Sequence, residues 1–342
     1  MLEPGLREVN GMRLRICVAL SFVGLAMVVI AAGRAGGVES DFRSLQGRIA
    51  FAHEFGNGAP NSAVFVIDAD GGTARSLMPG RRGGAPTWSP DGRRLAFLRL
   101  GGVWLMNGDG SDERILARVQ FPSFPIWSPD GRRIAFQVGD RTGEKTRLAV
   151  VNSDGSGLQT LAAADLSVSW PNGRPSWSPD GKWIAFRGGK AIRVVRQDGS
   201  EQRIVSQCST RACLDPSWSP DGRSLLFSGD NGMVIVEHPT TADRVGRILI
   251  RNGFDQAWSP DGRTIVFERD NTIQIMNADG SNRRRLTSGH NPVWSPDGKA
   301  LAFLRLKDPN DPSWKIYTIH VNGTRERLLA ENATVDFPDW GP

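Results

Sequence analysis

Several things are scarce in this chain of 342 residues, and each scarcity removes a class of protein. Cysteine occurs three times, too seldom for a small scaffold stapled by disulfides. Histidine occurs four times, at positions 53, 238, 290 and 320, and tyrosine once against eleven tryptophans. No Gly-x-Ser-x-Gly elbow, phosphate loop, His-Glu-x-x-His or Cys-x-x-Cys is present. Charges of one sign do not cluster: apart from Arg283, Arg284 and Arg285, arginine and aspartate alternate along the chain. The net charge of +6 therefore reads as a mixed, solvated surface rather than a nucleic-acid footprint. What is abundant is turn chemistry, with 40 Gly and 21 Pro, which disfavours a helical bundle.

Only one long apolar run exists, from Ile16 to Ala32, without a charge. Arg13 and Arg15 precede it, and small residues follow at Ala31, Ala32, Gly33, Ala35 and Gly37. That order matches a secretory signal, while the length lies within the lower range for a spanning helix. Residues 1–37 are accordingly expected to be a cleaved signal peptide or an N-terminal membrane anchor. Membrane contact is expected only through residues 13–32, if they are retained. Either way the rest of the chain works outside the cytoplasm, periplasmic or secreted. In that compartment Cys208 and Cys213, close together in one loop, are expected to form a disulfide.

The pentapeptide Trp-Ser-Pro-Asp-Gly occurs six times, beginning at Trp88, Trp127, Trp177, Trp218, Trp258 and Trp294. A degenerate copy around Trp340 closes the chain. A period of about forty residues signals a propeller or solenoid. After each pentapeptide come a short run ending in Phe, a second apolar run, a turn such as Asp109-Gly110-Ser111, and a third run rich in Arg and Leu. Such runs, bounded by Pro-Asp-Gly and Asp-Gly turns, read as strands and hairpins, four per unit with one leading into the Trp. The first unit, from residue 47, lacks its first strand; the segment 335–340 is a first strand lacking the other three. Joined, they complete a seventh blade. The fold expected is all-β: a seven-bladed β-propeller of four-stranded blades over residues 47–342, closed by pairing of the N- and C-terminal strands, with six blades as the alternative. Residues 38–46 are a linker. Each repeat Trp is expected to fill the wedge between adjacent blades, burying on the order of 200 Å².

These units, with WSPDGRRLAF followed by Asp-Gly-Ser and Arg-Arg-Leu, resemble the WD40-like repeats of the TolB-type β-propeller family over residues 47–342. The resemblance implies a propeller that binds a protein partner. Two departures stand out. The family's best-known member has six blades and a separate α/β domain before them, whereas this chain shows seven units and no room for that domain between Val38 and Arg48. Only the propeller's binding behaviour carries over.

Loops that enter first strands, or join second to third strands, vary in length, 288–292 and 305–313 among them, and the turns on the opposite face do not. The binding surface is therefore expected on the loop face and channel rim. Three residues before the repeat tryptophans stand Arg174, Asp215, Asp255 and Asn291; His53, His290 and Trp170 lie in loops of the same face. These seven residues are the candidate partner-binding set. The expected function is a non-catalytic, extracytoplasmic, monomeric scaffold for a protein or peptide of the cell envelope. No catalytic residue, metal site or cofactor is assigned, and no nucleic acid is expected. The alternative is a polysaccharide-active lyase or hydrolase working in the central channel. Propeller lyases gather several histidines around a metal, and here only His53 and His290 share the loop face.

Overall fold

The computed structural model describes residues 45–54, 62–139, 145–165, 173–209, 213–308, 311–333 and 338–342. The apolar segment at residues 16–32, Trp170 and Phe337 lie outside the described residues, and of His53 only the backbone is described.

Every regular element among the described residues is a strand, and the strands form seven four-stranded blades. Blade 1 runs through Gly84–Trp88, Arg94–Arg99, Gly102–Asn107 and Arg114–Arg118. Blades 2 to 6 open with Pro122–Trp127, Ser176–Trp177, Leu214–Trp218, Phe254–Trp258 and His290–Trp294. Blade 7 is assembled from both ends: Asp339–Gly341 supplies its first strand, and Arg48–Glu54, Ser62–Asp68 and Arg75–Ser76 supply the rest. The register is antiparallel, with Arg48 opposite Gly341, Ile49 opposite Trp340 and Ala50 opposite Asp339. Each first strand touches the first strand of the next blade, and the seven contacts return to their start. The seven-blade reading holds, and the six-blade alternative is discarded.

The pentapeptide builds its turn from within. In blade 1 the Ser89 hydroxyl donates to Asp91 Oδ1 at 2.6 Å, Arg93 N–H donates to the same oxygen at 3.1 Å, and Arg94 N–H donates to Ser89 Oγ at 2.9 Å. Gly92 supplies a φ of 65°, a left-handed conformation that a side chain would strain. The same bonds recur at Ser128, Ser178, Ser219, Ser259 and Ser295. The repeated Asp is thus a turn residue.

Packing follows the repeat too. The Phe in the middle of each second strand (Phe51, Phe97, Phe136, Phe186, Phe227, Phe267 and Phe303) is fully buried. The repeat Trp sits between blades, and in three of them its indole N–H reaches back to the previous blade. Trp127, Trp258 and Trp294 donate to the carbonyls of Thr87, Ser217 and Ala257 at 3.1, 3.2 and 3.2 Å. Trp88, Trp177 and Trp218 are buried, yet their indole nitrogens have no acceptor. This difference makes a test of the Trp-to-carbonyl link. Trp→Phe at position 127 removes a made bond, which is expected to cost about 1 kcal/mol more than the same change at 177. Urea unfolding of the two variants measures the gap; equal losses would show that the link contributes nothing.

One expectation about the loop face needs correction. Among the described residues, four connections between second and third strands are two-residue turns: Leu100 and Gly101, Gly189 and Lys190, Asp230 and Asn231, Asp270 and Asn271. The segment 288–292 is not a loop either, because Gly289 alone separates Arg284–Ser288 from His290–Trp294. At residues 305–313 the strands Ala300–Asp308 and Asp311–His320 extend into the stretch read as loop. Polar composition suggests a loop there, but cross-strand pairing carries these residues as strand extensions.

Candidate functional site

In five blades the residue three places before the Trp is positioned by a β-bulge. Pairing of the first and second strands slips at this point in blades 1, 2, 4, 5 and 6. There Ala85, Phe124, Asp215, Asp255 and Asn291 adopt φ values of 46° to 50°. Such backbone is uncommon outside glycine, though Asp and Asn tolerate it best, and a bulge re-aims a side chain away from the ladder. Repeated in these five first strands, it sets one residue at the same place in each.

A second ring underlies the first, formed by the residue after each buried Phe. Going round from blade 1 it reads Leu98, Gln137, Arg187, Ser228, Glu268, Leu304 and Ala52. The ring is apolar in blades 6, 7 and 1 and polar in blades 2 to 5. Gln137, Arg187, Ser228 and Glu268 are all buried, at 1, 4, 7 and 2% exposure. Buried polar groups of this kind need partners, and most find them across blades.

The bonds run from blade to blade. Arg174 N–H in blade 3 donates to Asp215 Oδ1 in blade 4 at 3.1 Å. Asp215 also faces the buried Arg187 guanidinium. Gln256 in blade 5 donates to the Asp215 carbonyl at 2.6 Å and accepts the Ser228 hydroxyl at 2.8 Å. Six blades carry Pro two places before the Trp; only blade 5 carries Gln. Within blade 5, Asp255 and Glu268 face one another, and His290 Nδ1 of blade 6 lies 2.7 Å from Glu268 Oε1. The Asn291 N–H also faces the Glu268 carboxylate. Trp314 packs edge-on against the His290 ring, with centroids 5.1 Å apart. Across the ring, Asp339 accepts the Trp88 N–H at 2.6 Å and feels the charge of Arg174.

Burial sets the protonation of this network. Loss of water pushes Asp255 up to about 7, and the negative charges of Asp215 and Glu268 push in the same direction. Burial also raises Glu268 to about 7. Asp215 and Asp339 are raised by the same cause. Burial lowers His290 against the opposing pull of Asp255, which keeps its ring neutral at pH 7. The pentapeptide aspartates behave oppositely; the Ser89 hydroxyl holds Asp91 below the ordinary carboxylate range.

Of the candidate set, Arg174, Asp215, Asp255, His290 and Asn291 thus come together in one arc from blade 3 to blade 6. Cys208 and Cys213 form a disulfide that ties the end of blade 3 to the start of blade 4, two residues before Asp215. The His53 side chain and Trp170 lie outside the described residues. Sequence reading passed over Arg187, Ser228, Gln256 and Glu268. Comparing the seven units at one position, the residue after Phe, would have exposed three of them, and the missing Pro would have exposed Gln256. Among the described residues no group of three His, Cys, Asp or Glu is arranged to hold a metal ion.

A family model described as TolB beta propeller domain matches residues 102–342. No curated protein matches the chain. Among solved structures, TolB from Acinetobacter baumannii is 16% identical, with 90% of this chain and 86% of that one covered and a TM-score of 0.54. An oligogalacturonate lyase from Vibrio parahaemolyticus is 15% identical over 78% of this chain and 92% of its own, with a TM-score of 0.59. The periplasmic gluconolactonase PpgL of Pseudomonas aeruginosa is 16% identical over 86% and 98%, also at 0.59. Identities this low establish a common fold and nothing finer.

Proposed function

The chain belongs to the TolB β-propeller family, and from that premise we propose that it is an extracytoplasmic scaffold whose loop face and channel mouth dock a protein or peptide of the cell envelope. The observation that supports this most is the contrast between the faces. The turn face repeats one self-satisfied hydrogen-bonded motif, whereas the loop face carries the charged arc and exposed apolar side chains. Leu100, Phe121 and Phe254 stand on it at 97, 50 and 40% exposure. Aromatic anchors beside buried polar groups are the usual ingredients of a docking patch. The family supports protein binding, and the disulfide supports a location outside the cytoplasm, to which residues 1–37 would direct the chain.

The test is crosslinking in cells. A photoreactive residue replacing Phe121 or Phe254 should capture a discrete protein, and one replacing Arg93 or Arg132 on the turn face should not. Equal capture from both faces, or none from the loop face, would refute the assignment. The second reading, a lyase or hydrolase acting on a polysaccharide, draws on one observation: an acid pair with raised pKa beside a neutral imidazole has the means to transfer protons. Release of new chain ends from polyuronides by the purified chain, abolished in His290→Ala, would favour it.

A further inference from the structure

The charges of the arc do not balance. It holds three carboxyl groups, Asp215, Asp255 and Glu268, with a fourth, Asp339, outside it in blade 7, against two guanidinium groups, Arg174 and Arg187. The cations serve only part of it: Asp215 faces both, and Asp339 faces Arg174. Asp255 and Glu268 have each other, the Asn291 N–H and the neutral His290 ring, and no Lys or Arg among the described residues pairs with either. Glu268 is 2% exposed, and its Oε2 has no hydrogen-bond donor. Such an acceptor, buried beside a second carboxylate, calls for a donor between the two. A proton serves while the site is empty. Asp255 and His290 are only half-buried, so the pair is reachable from the mouth at Asp255, with Glu268 enclosed behind it.

We propose that this acid pair is the seat for an arginine side chain of the docked partner, the guanidinium entering between Asp255 and Glu268 in place of the shared proton. The inference rests on the docking reading above and names the chemistry that the partner presents. A guanidinium fits for three reasons. Its fork offers several N–H donors in one plane, so it can address two carboxylates at once. It is more weakly hydrated than an ammonium and enters a buried site at lower cost. Its single positive charge takes over from the displaced proton, so the arc gains donors without a change of net charge, whereas the described acceptors do not gather three metal ligands around one point.

The probe is Nα-acetyl-arginine amide, titrated into the full chain at pH 8 by calorimetry or NMR, beside the citrulline amide, which has the same shape without the charge. The arginine compound should bind, the citrulline compound should not, and Asp255→Asn and Glu268→Gln should each weaken binding at least tenfold. Both variants keep the shape of the side chain, and a melting curve reports their folding. Should one fail to fold, the citrulline comparison on the unaltered chain decides. Equal binding of the two amides, binding unchanged in the variants, or no binding alongside a manganese or calcium ion held by the same two acids would overturn the proposal. Crosslinking from position 121 separates the two levels. Capture with no arginine site leaves the docking face standing and removes its seat, whereas an arginine site without capture removes the docking face alone.

Discussion

A chain lacking residues 339–342 is expected to lose cooperative unfolding, because those residues close the ring. Three contributions disappear together. The ladder from Arg48 to Ala50 loses its partner and becomes an open edge. Trp340, 7% exposed, leaves its place between blades, where its indole N–H donates to the Gln46 carbonyl at 3.0 Å. Asp339 no longer accepts the Trp88 N–H, so a partly buried donor in blade 1 is stranded. Trp340→Ala isolates the second contribution and should cost about 3–5 kcal/mol, the usual loss for deleting a buried Trp side chain. Far-ultraviolet circular dichroism against temperature reads both variants. A truncated chain that melts as sharply as the parent, at the same temperature, would mean that the ring holds without its closing strand.

The second large effect is a stability that falls as pH rises towards 8. Asp255 and Glu268 titrate near 4 in an unfolded chain but are raised to about 7 in the folded one. Between those values the folded state holds a proton that the unfolded state has released. Stability is therefore full below pH 4 for this pair and is lost as pH climbs through 7. Asp215 and Asp339, also raised, act in the same sense. The pentapeptide aspartates, held low, act in the opposite sense and withdraw stability as pH falls below 4. The optimum should thus lie in the mildly acid range. A displacement of about three pH units is worth at most about 4 kcal/mol per shared proton. Urea midpoints from pH 5 to 8.5 measure it. Glu268→Gln should flatten the decline and overtake the parent at pH 8. A midpoint that does not move between pH 5 and 8 in the parent would show that the pair carries no shared proton.

The architecture was legible because the repeat is written in chemistry that tolerates few alternatives. Six pentapeptides each need a tight turn, and the buried Phe residues fix which face of the second strand points inward. The incomplete first and last units announced their own union. The site was less legible. Asp215, Asp255 and Asn291 drew attention as polar residues at a repeated position, but Glu268 lies in RTIVFERD and looks like an ordinary strand end. It became functional only when the fold set blade 5 against His290 of blade 6. Loop lengths were misread for a related reason. Composition marked 288–292 and 305–313 as loops, while strand pairing, which sequence does not display, drew them into the sheet.

Seven similar sectors pose a problem of orientation, since a partner seated on a fully repetitive ring would find seven equivalent bearings. The buried ring removes that degeneracy. Arg187, Ser228 and Glu268 occupy successive sectors, and Leu304, Ala52 and Leu98 occupy the next three. The mouth is therefore polar on one side and apolar on the other, and a visitor with a matching asymmetry has one heading in which it fits.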